Sequence, residues 1–122
     1  MRHRISKKII GRTADARQAL AVGLVRDFFR HGFLQTSLAK AKYIKPILEK
    51  TISLGRRSSL TNRRRLLTVL GDARLVNKLC QEFGAHPSGR SSGQIRIVKL
   101  GQRRGDAAPI ASLELVDHQA HD

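Results

Sequence analysis

The 122-residue sequence predicts an α+β fold in two layers, a small sheet with helices packed on one of its faces. Two observations carry that expectation. Apolar residues recur at three- and four-residue spacing in successive stretches, each bounded by a capping residue and a glycine. Short β-rich runs interrupt those stretches once and then close the chain.

Residues 1–12 stand outside both patterns as a basic N-terminal arm. Arg2, His3, Arg4, Lys7, Lys8 and Arg12 lie there without an acid and with little that could fill a core. Burying a lone cation is costly, so the arm is expected to remain solvated in the free chain. A polyphosphate surface would order it through charge-assisted contacts and release of condensed counterions.

Residues 13–117 read as one domain, with no internal repeat. Thr13-Ala14-Asp15 signals a helix start, and Leu20, Ala21, Leu24, Val25, Phe28 and Phe29 form its apolar face until His31-Gly32. That helix is expected to be about 15 residues long. Phe33 to Thr36 is too short for a helix between its neighbours and fits a brief strand. Thr36 or Ser37 can cap a second helix with Leu38, Ala41, Ile44, Leu48 and Ile52 inside, stopping at Gly55. Pro46 within it predicts a kink or local break near residues 42–46, because proline removes a backbone bond and crowds the preceding turn.

Ser58-Ser59 caps a third, shorter helix ending near Gly71, and Asp72 caps a fourth carrying Leu75, Val76, Leu79, Cys80 and Phe83, closed by Gly84. Residues 85–93 have loop chemistry. Gln94 to Leu100 and Ile110 to Val116 read as the arms of a hairpin with a long basic loop. Ala111, Leu113 and Leu115 share one face of the last strand while Ser112 and Glu114 share the other, as expected if helices cover one side. Residues 118–122 are expected to fray. The order is helix, strand, three helices, two strands.

The charge narrows the function classes. Twenty-four lysines and arginines against 9 acids give a net charge of +15 and a pI near 11.6. Self-repulsion on this scale is relieved by a polyanion, and it favours fast, salt-sensitive association with nucleic acid. A membrane surface normally calls for an aromatic amphipathic anchor, and the sequence has no Trp and no apolar run of the roughly 18–20 residues a spanning helix needs. The basic start lacks the apolar stretch and cleavage site of a secretory signal, so the chain is read as mature and intracellular.

Outside the arm, the cations concentrate in two acid-free stretches. Lys50 to Gly71 holds Arg56, Arg57, Arg63, Arg64 and Arg65, and Phe83 to Gly105 holds Arg90, Arg96, Lys99, Arg103 and Arg104. A merely solvated face would interleave both signs. Arginine outnumbers lysine 16 to 8, and a planar guanidinium grips phosphate bidentately where an ammonium is a point charge. Arg90 and the Arg103-Arg104 pair sit between glycines, where backbone can approach a phosphate closely. No Gly-Lys-Ser/Thr nucleotide loop is present, and Asp106, which completes an Arg-Gly-Asp string, is expected to close the turn or hold a neighbouring arginine.

Catalysis and metal binding find no constellation. The single Cys80 excludes a disulfide framework and a multi-cysteine zinc site, and its helical spacing from Leu79 and Phe83 reads as a buried thiol. His3, His31, His86, His118 and His121 lack metal-ligand spacing. Aromatics at 4% argue against a base-stacking recognition sheet. No enzyme activity, cofactor, metal or small-molecule substrate is therefore expected. A nucleoid-type DNA-binding protein and a small basic ribonuclease are the competing classes, the latter needing an acid/base pair at a scissile phosphate.

The sequence resembles the family of the seventeenth protein of the bacterial large ribosomal subunit. The likeness runs through Met1-Arg2-His3-Arg4, Arg17-Gln18-Ala19, Leu34-Gln35-Thr36-Ser37 followed by Lys40-Ala41-Lys42, Asn62-Arg63-Arg64, Arg90-Ser91-Ser92-Gly93-Gln94-Ile95-Arg96-Ile97, Arg103-Arg104-Gly105-Asp106-Ala107-Ala108-Pro109 and Glu114-Leu115-Val116. Ala16, Ser92 and Gln94 stand where that family usually has histidine, glycine and tyrosine. The resemblance implies the same element order around a mixed three-stranded sheet. It also implies a structural, non-enzymatic role bound to rRNA near the exit side of the peptide tunnel, in a bacterial or, alternatively, an organellar ribosome.

The expected partners are thus large-subunit rRNA and neighbouring ribosomal proteins, with no membrane and no homo-oligomer. Arg2, His3, Arg4, Lys7, Lys8 and Arg12 would meet phosphates from the arm. Arg17, Lys40, Lys42, Arg63 and Arg64 would do so from helices, and Arg90, Arg96, Arg103 and Arg104 from the hairpin.

Overall fold

A computed structural model describes His3 and residues 9–57, 59–83 and 93–116. Arg2, Arg4, Lys7, Lys8, Arg90, most of the expected 85–93 loop and the 118–122 tail lie outside the described residues. The elements run α1 (Ala14–His31), β1 (Phe33–Ser37), α2 (Leu38–Arg56), α3 (Leu60–Leu70), α4 (Ala73–Lys78), a π-helical turn (Leu79–Phe83), β2 (Ile95–Gln102) and β3 (Pro109–Leu115). This is the order read from the sequence.

Local chemistry sets the boundaries. Thr13, Ser37 and Ser59 each accept a hydrogen bond from a backbone N–H three residues on, at 3.3–3.4 Å, and so satisfy donors orphaned at the starts of α1, α2 and α3. Asp72 does the same for Arg74 N at 2.9 Å. Gly32 and Gly71 end α1 and α3 in the left-handed conformation, with φ of 82° and 66°. Ser37 is both the last residue of β1 and the cap of α2, so strand passes into helix with no loop between.

Two side chains reinforce the helix ends from a distance. Arg26 Nε of α1 donates to Leu70 O at the end of α3 at 2.6 Å, and Lys78 Nζ of α4 donates to Arg30 O at the end of α1 at 2.9 Å. Both place a cation on the negative end of a helix dipole. They also tie α1 to the α3–α4 pair.

The core lies between the helices and one face of the sheet. Phe28 and Phe29 are fully buried with rings edge-to-face at 5.3 Å, and Ile44, Leu48, Leu66, Leu70, Leu79 and Leu113 complete the fully enclosed set with their neighbours. Cys80 is a buried thiol, as its spacing suggested.

Four details differ from the sequence reading. First, α1 has 18 residues, Ala14–His31, where about 15 were expected between the same start and stop signals. Second, α2 continues through Pro46 to Arg56, without the local break that was one of the two outcomes expected there. Ala41, Ile44, Leu48, Thr51 and Ile52 are buried along one stripe, and that packing outweighs the single backbone bond a proline removes. Third, Gly55 lies within α2 and is buried, because a side chain there would run into Leu79 Cδ2. The fourth helix meets it with a π-helical turn from Leu79.

Fourth, the sheet is antiparallel throughout, not mixed. Its order is β1-β3-β2, with Leu34 opposite Leu113 and Ile97 opposite Leu113. β1 and β2 run in the same direction but never pair, because β3 inserts between them and opposes both. The β2–β3 ladder shifts register between Lys99 and Gly101, and Gly101 takes a φ of 124° there. Ser112, on the central strand between Gln35 and Val98, is buried although it faces away from the helices.

Candidate nucleic-acid interface

The hairpin tip shows how the protein divides its arginines. The backbone of Arg103 holds the tip together, donating from N to Ala108 O at 2.8 Å and accepting at O from Ala107 N at 3.0 Å. Arg103 then lays its guanidinium fork on Asp106, with Nε to Oδ1 at 3.1 Å and Nη2 to Oδ2 at 2.6 Å, while Ala108 N donates to Asp106 Oδ1 at 3.2 Å. The Arg103 hydrogen bonds, followed by the Ala108 N–H, lower the Asp106 carboxyl to about 2. The same carboxylate raises the Arg103 guanidinium further above its ordinary value.

Arg103 is therefore a clasp for its own turn, and its charge is locally neutralised. Arg104 beside it is exposed and has no partner among the described residues. Arg96 resembles Arg103: it pairs across the strands with Glu114, at 3.1 Å through Nη2, where the register places the two opposite each other. Both pairs are half exposed, so they orient the side chains without burying their charge.

The helix-borne residues divide in the same way. Arg63 Nη1 donates to Asn77 Oδ1 at 3.0 Å and links α3 to α4. Arg64, one position on, is exposed and its guanidinium has no partner among the described residues. Arg17 and Lys40 are half-buried near the starts of α1 and α2, again without a side-chain partner among the described residues. Lys42, His3 and Arg12 are exposed. The candidate residues thus occupy four separate places on the fold: the approach to α1, the start of α2, the α3 surface and the hairpin.

One set of cations was noted in the sequence but not counted among the expected phosphate contacts. Lys50, Arg56, Arg57 and Arg65 line a groove of about 1050 Å³ between the end of α2 and the start of α3. Its signal was present in the acid-free stretch from Lys50 to Gly71, but only the α2–α3 packing shows that these four share a surface.

Among the described residues, no group of three or more His, Cys, Asp or Glu could hold a metal ion, and no helix is long and apolar enough to cross a membrane. The chemistry on offer is that of guanidinium and ammonium groups presented on a rigid frame, several of them without an internal counterion.

Residues 20–116 match the family described as Ribosomal protein L17. The chain is 40% identical over 118 residues to the large ribosomal subunit protein bL17 of Thermodesulfovibrio yellowstonii, covering 97% of this chain and 89% of the relative. It is 43% identical over 107 residues to bL17 of a Thermoanaerobacter species, covering 88% and 96%. It is 42% identical over 117 residues to bL17 of Paramagnetospirillum magneticum, covering 96% and 84%.

Proposed function

The chain belongs to the ribosomal protein L17 family, and from that premise we propose that it is a structural, non-enzymatic constituent of the large ribosomal subunit that holds rRNA by its phosphates. The observation that carries the rRNA contact is the unneutralised charge: the side chains of Arg17, Lys40, Arg64 and Arg104 have no partner among the described residues, on a chain of net charge +15. Phosphate contacts of this kind position a protein on RNA without reading its sequence.

The body, residues 13–117, docks as one unit and presents the helix-borne and hairpin cations. The arm, residues 1–12, threads between RNA helices, with Arg2, His3, Arg4, Lys7, Lys8 and Arg12 against phosphates. Arg63, Arg96 and Arg103 contribute by orienting their neighbourhoods as well as by charge, since each already has a protein partner. Arg90 and Lys42 complete the set. The site is on the exit side of the peptide tunnel in a cytoplasmic bacterial ribosome, in contact with adjoining ribosomal proteins.

Backbone cleavage of large-subunit rRNA by hydroxyl radicals tests this reading. Subunits carrying the protein are expected to show protected backbone positions that open when the protein is omitted. A cleavage pattern indifferent to the protein would contradict the proposal.

A further inference from the structure

We propose that the groove between α2 and α3 is a phosphate-backbone seat for RNA, distinct from the arm and from the hairpin. The inference rests on the rRNA-binding reading and adds a site to it. Lys50, Arg56, Arg57 and Arg65 converge on the groove over an apolar floor that includes Ile47 and Leu54, and Glu49 is the one acid in the lining. Lys50, Arg57 and Arg65 are exposed, and none of the four cations has an ion-pair partner among the described residues.

Arg56 is the most enclosed of the four. Its Nη1 is shielded from solvent and has no hydrogen-bond partner among the described residues. A buried guanidinium N–H left without an acceptor is unfavourable, more so than a neutral donor, and native proteins leave few such groups. A phosphate suits the guanidinium groups of Arg56, Arg57 and Arg65 that line the groove without an ion-pair partner among the described residues. The first turn of α3, which borders the groove, carries no acid that could serve instead.

The test uses the full chain and a large-subunit rRNA transcript, with affinity measured across a salt series. Arg56→Gln with Arg65→Gln is expected to weaken binding about tenfold or more and to make the log–log salt slope shallower by about 2, at an unchanged thermal midpoint. Arg104→Gln serves as the comparison outside the groove. If the double variant binds like the parent while Arg104→Gln weakens, the groove inference is overturned and the rRNA reading stands. If the parent does not bind the transcript, both fall.

A second measurement avoids mutation. Acylation of Lys50 is expected to be fast in the free protein, slow in the intact subunit and fast again after ribonuclease digestion. Protection that survives digestion would assign the groove to a neighbouring protein and overturn the proposal.

Discussion

At the scale of single residues, the Arg103–Asp106 clasp makes the sharpest claim. The Asp106 carboxyl is lowered to about 2 in the folded chain, against ~3.9 for an unperturbed aspartate. A depressed carboxylate contributes stability above its unfolded value and loses it as pH falls through the folded one. The tip is therefore expected to be fully held above about pH 4 and to loosen between there and about pH 2. Carboxyl chemical shifts in an NMR titration check this, and Arg103→Gln is expected to return Asp106 towards the ordinary aspartate range. An Asp106 midpoint that Arg103→Gln leaves unmoved would remove the clasp. That Asp106 would close its turn or hold an arginine was legible from its place in the string Arg103-Arg104-Gly105-Asp106. The Arg96–Glu114 pair was not, because the two are adjacent only through strand register.

At the scale of elements, helix starts and stops were legible because each is local chemistry: Thr13, Ser37, Ser59 and Asp72 act on N–H groups within three residues. What depends on packing was not. Gly55 read as a stop because glycine ends helices, whereas its role is to let Leu79 pack directly on the α2 backbone. Gly55→Ala is expected to destabilise the fold by about 1–3 kcal/mol in chemical denaturation, since Leu79 is fully buried and the added methyl has nowhere to go. Arg26 lies off the apolar stripe of α1, and nothing local in the sequence shows that its Nε caps α3 through Leu70 O. Arg26→Gln is expected to cost about 1–2 kcal/mol. A neutral result in the same assay would show that the cap contributes nothing. The sheet's direction was equally hidden, because no residue in β1 or β2 announces that β3 will come between them.

At the scale of the whole molecule, charge and architecture divide the work. The buried set of Phe28, Phe29, Ile44, Leu48 and Leu113 belongs to the body, so the body is expected to fold without residues 1–12. Deleting those residues is expected to leave the thermal midpoint nearly unchanged while incorporation into large subunits falls sharply. Normal incorporation of the shortened chain would deny the arm its role. The net charge of +15 was legible as a need for a polyanion, but charge alone suits DNA as well as RNA. Family membership, not electrostatics, singles out the ribosome. Co-sedimentation tests that conclusion most directly. In cell extracts fractionated on a density gradient at moderate salt, the protein is expected to travel with large subunits and to be released as ionic strength rises; an exclusively DNA-bound pool, with none on the subunits, would contradict it.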